Sequence, residues 1–371
     1  MRVKLERTAL NRALSHVHRV VERRNTIPIL SNVLLQASDG MLRLKATDLD
    51  IEVIESVPAD VSVDGGTTAP AHTFNDIVKK IPEGAEIELA LDQGSSTMTL
   101  SAGRSRFSIQ TLPAADFPDI ATAEFPHSFS LTAGQVRQLI DKTQFAISNE
   151  ETRYYLNGIY LHAPEGDTPL LRAVATDGHR LAQYEMPCPD GAAGMPGIII
   201  PRKTVGEVQR LIEDDEAAIG IELSDAKIRF TIGAVVLTSK LIDGTFPDYE
   251  RVIPRNNEKI LNVDRSSFAA AVDRVSTIST ERGKAVKLSI GPDLVHLSVN
   301  NPESGTANEE VAAAYADDPI DIGFNARYLL DITDRLTGDQ ASMRFADPGS
   351  PTLVEDPSDR AALFVIMPMR V

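Results

Sequence analysis

Apolar residues recur at helical spacing in six separated stretches of the chain. In the first, LERTALNRALSHVHRVV (5–21), Leu10, Leu14, Val17 and Val21 fall on one side of a helical projection. Arg12, Arg19 and Arg23 fall opposite them, so the stretch predicts a helix with a core face and an arginine face. TFNDIVKKI puts Phe74, Ile77, Val78 and Ile81 inward and Lys79 outward, and RKTVGEVQRLI sets Val208, Leu211 and Ile212 against Lys203 and Arg210. LTAGQVRQLIDKTQFAI, VDRSSFAAAVDRVSTIS and NARYLLDITDRL complete the set, with Arg274 opposing Phe268, Val272 and Val275. Between these stretches the pattern changes to alternation, as in IEVIESV, KIRFTIGAVVLTSKL and LVHLSVN, bounded by Gly, Asp and Pro, which predicts strands.

The order of elements repeats. ATDLD begins at Ala46 and ATDGH at Ala175, 129 residues apart, and FPDI and FPDY begin at Phe117 and Phe246, again 129 apart. Two unrelated short matches that share one offset predict tandem units, and the chain has room for three. The third has diverged but keeps a long helix, strands and a second helix. The expectation is an α+β protein of three similar domains, each two helices on antiparallel sheet, with boundaries at the Pro-containing AEFPHS and RVIPRNN: 1–126, 127–254 and 255–371. The terminal FVIMPMRV reads as a last strand over Phe364–Ile366 that Pro368 ends, followed by an exposed apolar Met-Pro-Met, one half of a binding surface.

Charge changes this picture. The 371 residues carry net charge −16, which by itself argues against a polyanionic partner. Yet the helical segments taken together are net positive, so the remainder is more acidic still, and the basic helix faces form a candidate surface for phosphate backbone. Aromatics make up 5% with no Trp, which speaks against base-stacking platforms and sequence readout. The charged N-terminal stretch and the lack of any apolar run near the roughly 18 residues of a membrane span predict no membrane association, and the single Cys188 fits a reducing compartment, hence a cytoplasmic protein.

Enzyme chemistry finds little to stand on. GxxxxGK[ST], GxGxxG and HExxH do not occur, so no nucleotide cofactor or zinc-protease site is implied. GRSRF (103–107) lacks the second Gly of a nucleophile elbow. His16 and His18 are two apart on a helix, about 200° around, and cannot chelate one metal. The best catalytic candidate is TDGHR, where Asp177 could orient His179 as a general base, although Asp-Gly also makes an ordinary turn. The acidic NPESGTANEE lacks the loop spacing of a calcium site and reads as a solvated or partner-facing surface.

Several segments in order along the chain carry a resemblance: TIPILSN (26–32), ATDLDIEV (46–53), GRSRFSIQTLPAADFPD (103–119), RYYLNGI (153–159), ATDGHRLA (175–182), TSKLIDGTFPDYERVIP (238–254), GFNARYLLD (323–331) and the terminal VIMPMRV. Through them the chain resembles the bacterial sliding clamp, the beta subunit of DNA polymerase III holoenzyme. The resemblance implies the DNA-clamp fold, a head-to-tail homodimer ring sliding on double-stranded DNA without sequence preference, and no catalysis. It implies a cleft for short motifs of the replicative polymerase alpha subunit, the clamp loader and other clamp-motif proteins. The matching cleft positions are Arg153, Leu156, Thr176, Gly178, His179, Arg180, Leu181, Pro247, Arg251, Val252, Asn325, Tyr328, Val365, Ile366, Met367, Pro368, Met369 and Arg370.

Arg24, Lys79, Arg202 and Lys203 match positions that face DNA, while His72 and Glu150 stand where a positive or amide residue is common. Arg104, Phe107 and Ile109 match one side of the ring interface, and Thr277, Ile278, Glu303, Glu309 and Glu310 the other. Gly349 and Pro351, in DPGSPT (347–352), replace the small aliphatic or hydroxyl residues more usual there, which implies a differently shaped cleft rim. Two other readings stand beside the clamp: a hydrolase built on Asp177 and His179, and a monomeric adaptor of the same fold.

Overall fold

The computed structural model describes residues 1–120, 124–279 and 284–371. The first repeat runs β1 (Arg2–Glu6), α1 (Arg7–Val17), β2 (Asn32–Ser38), β3 (Met41–Thr47), β4 (Ile51–Pro58), β5 (Asp60–Val63), β6 (Gly65–Pro70), α2 (Ala71–Lys80), β7 (Glu86–Ala90), β8 (Thr97–Ala102) and β9 (Ser105–Gln110). The second runs β10 (His127–Thr132), α3 (Ala133–Thr143), β11 (Gly158–His162), β12 (Leu170–Thr176), β13 (Arg180–Pro187), β14 (Ile198–Pro201), α4 (Arg202–Leu211), β15 (Ala218–Leu223), β16 (Lys227–Ile232) and β17 (Val235–Lys240). The third runs β18 (Lys259–Asp264), α5 (Arg265–Ser276), β19 (Ala285–Gly291), β20 (Leu294–Asn301), β21 (Gly305–Ala314), β22 (Ile320–Asn325), α6 (Ala326–Thr333), β23 (Gln340–Phe345), β24 (Thr352–Asp356) and β25 (Asp359–Ile366). Apart from the extra β5, the three repeats share one order of elements, and each holds the two helices that periodicity predicts.

Local chemistry sets the helix starts. Thr132 Oγ1 accepts the amide of Gln135 at 3.2 Å while Gln135 Oε1 accepts the amide of Thr132 at 2.9 Å, a reciprocal cap that opens α3. Asp264 caps α5 through the Ser267 amide at 2.8 Å, and hydrogen bonds from Ser267 hold its carboxyl down to about 2. One expectation needs correction. α1 stops at Val17 and tightens into a 3-10 turn over His18–Val20, so Arg12, Arg19 and Arg23 do not form one continuous helical face. Val20 and Val21 both bury at the end of this tighter turn.

The chain folds as two compact units. One comprises Met1–Arg137, Pro189–Ala192 and Lys203–Leu241; the other comprises Gln138–Cys188, Ala193–Arg202 and Ile242–Val371. The first holds a five-stranded sheet, β5-β1-β7-β8-β9, and an eight-stranded sheet, β10-β15-β16-β17-β4-β3-β2-β6. Leu10, Leu14, Leu35, Leu42, Leu44 and Phe74 are completely buried in its core. The second unit holds a twelve-stranded sheet, β14-β11-β12-β13-β25-β24-β23-β18-β21-β20-β19-β22, with Phe268, Phe324, Phe345 and Phe364 completely buried.

Both large sheets cross a repeat boundary. In the first unit β4 of repeat one pairs antiparallel with β17 of repeat two, Glu52 facing Thr238 and Val53 facing Leu237. In the second unit β13 of repeat two pairs with β25 of repeat three, Leu181 facing Val365 and Arg180 facing Ile366. The last strand is therefore central to its sheet. It does more than close the third repeat, since it joins β24 on one side to β13 on the other.

Candidate functional site

One face of the second unit's sheet carries a buried apolar cluster at the β13–β25 junction. Strand alternation puts Val174, Leu181, Leu353 and Val365 on this face, and Leu156 and Ile199 join them. The FPDY segment lies over one side, adding Phe246 and Tyr249, with Tyr160 stacked on Phe246 at 4.8 Å between ring centres. Tyr249 is fixed at its hydroxyl by Arg172 at 2.8 Å and by His162 Nε2 at 3.0 Å. Burial, with the neighbouring Arg172 charge, lowers His162 to about 4 and leaves it neutral.

Of the expected cleft residues, Leu156, Leu181 and Val365 meet in this cluster. Pro247, Arg251 and Val252 sit exposed along the covering segment, Val252 at 49% and Arg251 paired to Asp248 at 2.6 Å. Sequence reasoning missed Val174, Ile199, Leu353, Phe246 and Tyr249. The last two lie inside the FPDY motif, and Leu353 follows directly on the 347–352 loop that was singled out. That loop is closed by Asp347, which accepts the Gly349 amide at 2.8 Å and the Ser350 hydroxyl at 2.6 Å.

A tight turn borders the cluster. Asp177 accepts the amides of His179 and Arg180 at 2.9 and 3.0 Å, and Thr176 accepts the amide of Gly178 at 3.1 Å. Gly178 has φ +87°, and a Cβ there would lie 2.6 Å from Arg153 Nη1, so the position suits glycine on both counts. Beyond the turn, a cavity of about 570 Å³ is lined by His179, Asn325 and Tyr328 among others. The His179 ring stacks on Tyr328 at 6.5 Å, and burial raises the Tyr328 hydroxyl above its ordinary range. Asn325 is occupied as the cap of α6, accepting the Arg327 amide at 2.9 Å.

Two expected cleft residues do other work. Arg180 is saturated: Nε bonds Asp177 at 3.1 Å, Nη1 bonds Asp331, Nη2 bonds the Phe145 carbonyl at 2.6 Å, and the guanidinium lies over Tyr328 at 4.3 Å. It ties the turn to α6 and is also among the residues lining the cavity of about 570 Å³. Ile366 is buried on the opposite face of the sheet from Val365, because adjacent residues of a strand alternate. The Asp177 carboxylate is spent on the turn and on Arg180, and the His179 ring has no hydrogen bond among the described residues, so the general-base pair is not assembled.

The tail is held, not loose. After β25 the Met367 amide donates to the His179 carbonyl at 2.8 Å, and the Met369 amide donates to the Gly323 carbonyl at 2.8 Å. The segment Met367–Met369 thus runs from β13 to the edge strand β22. Met367 stays 37% exposed, while Pro368 and Met369 are half-buried and Arg370 is exposed.

Sequence profiles of the DNA polymerase III beta subunit match in chain order: the N-terminal domain over residues 1–121, the central domain over 130–248 and the C-terminal domain over 250–370. The chain belongs to the DNA polymerase III beta subunit family. It is 53% identical to the beta sliding clamp of Caulobacter vibrioides over 372 residues and 38% identical to that of Escherichia coli K12 over 374 residues, covering 100% of each chain in both cases. A crystal structure of the sliding clamp from Bartonella birtlesii bound to griselimycin matches with a TM-score of 0.98 at 52% identity, again over 100% of each chain. Beta subunits of this family are non-catalytic processivity factors, in accord with the unassembled Asp177 and His179.

The positions expected to face DNA differ in their freedom. Arg24 and Lys79 are exposed and make no ion pair among the described residues. Lys203 donates to Asp48 at 2.6 Å and to Glu22; burial opposes its charge, but these two carboxylates outweigh it and raise the ammonium above its usual range. Arg202 donates to the carbonyls of Ile147 and Ser148 at 2.7 and 2.9 Å and to Asn149. Glu150 is answered by Arg153 at 2.8 Å, and His72 Nε2 bonds the Val21 carbonyl at 3.0 Å. The positive helix faces are also partly neutralised: Arg12 pairs with Glu213 at 2.6 Å, Arg137 with Asp215 at 2.8 Å, and Lys142 is buried against Asp359 at 2.9 Å. Counting charges by segment therefore overstates the cations available to phosphate.

Among the described residues, β9 is an edge strand and β21 is open along part of one side. β9 pairs only with β8, and it presents Phe107 at 37% exposure with Arg104 beside it, while Ile109 is buried. β21 pairs with β20 along its length, but β18 meets only its last two residues, Ala313 and Ala314. The stretch from Gly305 to Ala312 is open on that side. Glu303 and Glu310 are exposed near it, Thr277 is exposed and Ile278 half-buried after α5, and Glu309 is engaged by Arg274 Nε at 3.0 Å. Among the described residues no helix is long and apolar enough to cross a membrane, and no group of three metal-ligating side chains is found.

Proposed function

We propose that the protein is a processivity clamp, a head-to-tail homodimer ring that encircles duplex DNA and holds polymerase and other partners through the apolar cleft of the second unit. The observation that supports this reading is the buried apolar cluster around Leu156, Leu181 and Val365, bordered by a hydrogen-bonded tail that presents Met367 to solvent. Adaptable Met and branched aliphatic walls with few polar groups suit short linear motifs of the alpha subunit, the clamp loader and other clamp-motif proteins. A pair of exposed edges of opposite charge supports ring closure, Arg104 and Phe107 on β9 against Glu303, Glu309 and Glu310 at β21. An open strand edge is a template for pairing with another chain, and a head-to-tail contact of this kind closes when its rotation does.

In this reading the domains are 1–126, 127–254 and 255–371, the protein is cytoplasmic, and duplex contact rests on Arg24 and Lys79, with Arg202 and Lys203 contributing charge from fixed positions. Gel filtration with light scattering should give a dimer at micromolar concentration, and after loading the protein should remain on nicked circular DNA and leave when the circle is cut. A monomer that fails to remain on the circle overturns the ring. Phe107→Asp should halve the mass; an unchanged mass would place the interface elsewhere.

A further inference from the structure

The repeat relation places a second groove in the first unit. There β4 lies beside β17 as β13 lies beside β25 in the other unit, and the FPDI segment stands where FPDY stands. A cavity of about 720 Å³ opens on this face. Arg43, Lys45, Lys227 and Arg229 line it against Glu52 and Asp119, a local positive excess on a chain of net charge −16. Positions that are apolar in the second unit are charged here, Lys45 for Val174 and Glu52 for Leu181, so an apolar motif has no floor to rest on.

Lys45 is buried at 4% exposure and Glu52 at 8%. The Lys45 ammonium donates to Glu52 at 2.8 Å and, from the solvent side, to Asp119. Asp119 itself is 86% exposed, a carboxylate that reaches the buried ammonium from a surface segment. Arg43 makes no ion pair among the described residues. Arg229 lies over the Phe125 ring at 4.4 Å, hydrogen bonds Thr238 at 3.4 Å and has Glu222 at 3.6 Å. Ile54 and Val236 give the groove a half-buried apolar strip.

We propose that this groove binds an acidic peptide segment of a partner protein, one with two carboxylates flanking an aromatic residue. The first carboxylate takes the place of Asp119 on Lys45, the second pairs with Arg43, and the ring lies along Ile54, Val236 and Phe125. Asp119 then acts as an internal occupant that the peptide displaces. A short peptide is favoured over nucleic acid because the groove offers one recessed ammonium between two buried or bound carboxylates, while a phosphate array would meet the acidic remainder of the surface.

The test uses the full-length protein and a fluorescein-labelled Asp-Phe-Asp peptide, with an Asn-Phe-Asn version as control, read by fluorescence anisotropy. Asp119→Asn should tighten binding of the acidic peptide and Arg43→Glu weaken it, each by about tenfold, as expected when one charged contact is freed or reversed. Raising salt from about 0.05 to 0.5 M should weaken binding further, since the rim charges are screened. The control peptide should bind to neither variant. Arg43 is exposed, so its substitution leaves the fold intact even if variants at Lys45 do not fold. Equal affinity for the two peptides, indifference to both substitutions, or binding of a short duplex in place of the peptide would each overturn the proposal. These substitutions leave the apolar cleft unaltered, so failure here does not bear on the proposed function.

Discussion

The two repeat junctions use the same strands and turns to opposite ends. At β13–β25 one face holds the buried Val174, Leu181, Leu353 and Val365, while Val252 of the covering segment and Met367 of the tail are exposed. At β4–β17 the matching face holds the buried Lys45–Glu52 pair, and Asp119 closes it. One junction is apolar; in the other a buried ion pair is joined by Asp119 of the same chain. Backbone pairing is the same in both, so the β-ladder decides only that a groove exists. Two side chains per junction decide what the groove can hold.

The largest expected effect breaks the charged junction. Lys45→Met leaves Glu52 buried without its partner and should lower stability by about 3–5 kcal/mol, whereas Lys45→Val together with Glu52→Leu, which copies the other junction, should recover most of that loss. Chemical denaturation of the three proteins decides it, and a double variant as unstable as the single one would show that the junctions are not interchangeable. Next comes removal of 367–371, which strips Met367 and both tail hydrogen bonds from the apolar junction. Affinity for a clamp-motif peptide should fall by 2 kcal/mol or more, the range of a binding hot spot, with the dimer intact; calorimetry with unchanged affinity would refute it.

A smaller effect sharpens how that tail is held. A Cβ at Gly323 would lie 2.7 Å from the Met369 carbonyl oxygen and closer still to Val371, so Gly323→Ala should push the tail off β22. The cost of such overpacking is about 1–2 kcal/mol, seen as roughly tenfold weaker peptide binding with no change in mass. A further expected effect is a pH slope at the apolar junction. His162 is lowered from 6.5 to about 4, so the unfolded chain binds the extra proton first, and stability should fall as pH drops from about 6.5 toward 4. His162→Gln should flatten that part of the slope in thermal unfolding.

Periodicity was sufficient for the helices, because a 3.6-residue stripe records which face is buried within one element. The repeat offset related the first two repeats, and the order of elements extended the pattern to a third. The cleft positions came from a resemblance, and three of them, Leu156, Leu181 and Val365, do meet. What stayed hidden was set by contacts between residues far apart in the chain. Nothing local to Lys203 announces Glu22 and Asp48, and nothing local to Lys142 announces Asp359, so both looked like available cations. The acceptors that hold Arg180, Asp177, Phe145 and Asp331, come from three different segments, so its anchoring was not legible locally. Ile366 and Val365 could have been told apart, since alternation in a strand already sends neighbours to opposite faces.

The pairing of Leu181 with Val365 also has a kinetic side. β13 is made early in synthesis, but its partner edge arrives with β25, after the whole of the third repeat. Until then β13 presents an unpaired edge with apolar Leu181 and Ala182 on it, a surface prone to mispairing. Contacts this distant in sequence slow folding, because the intervening loop must be ordered before they form. This edge of β13 therefore stays unpaired until the third repeat is made, and a fragment cut between the second and third repeats should aggregate more readily than the intact chain, as light scattering of the two would show.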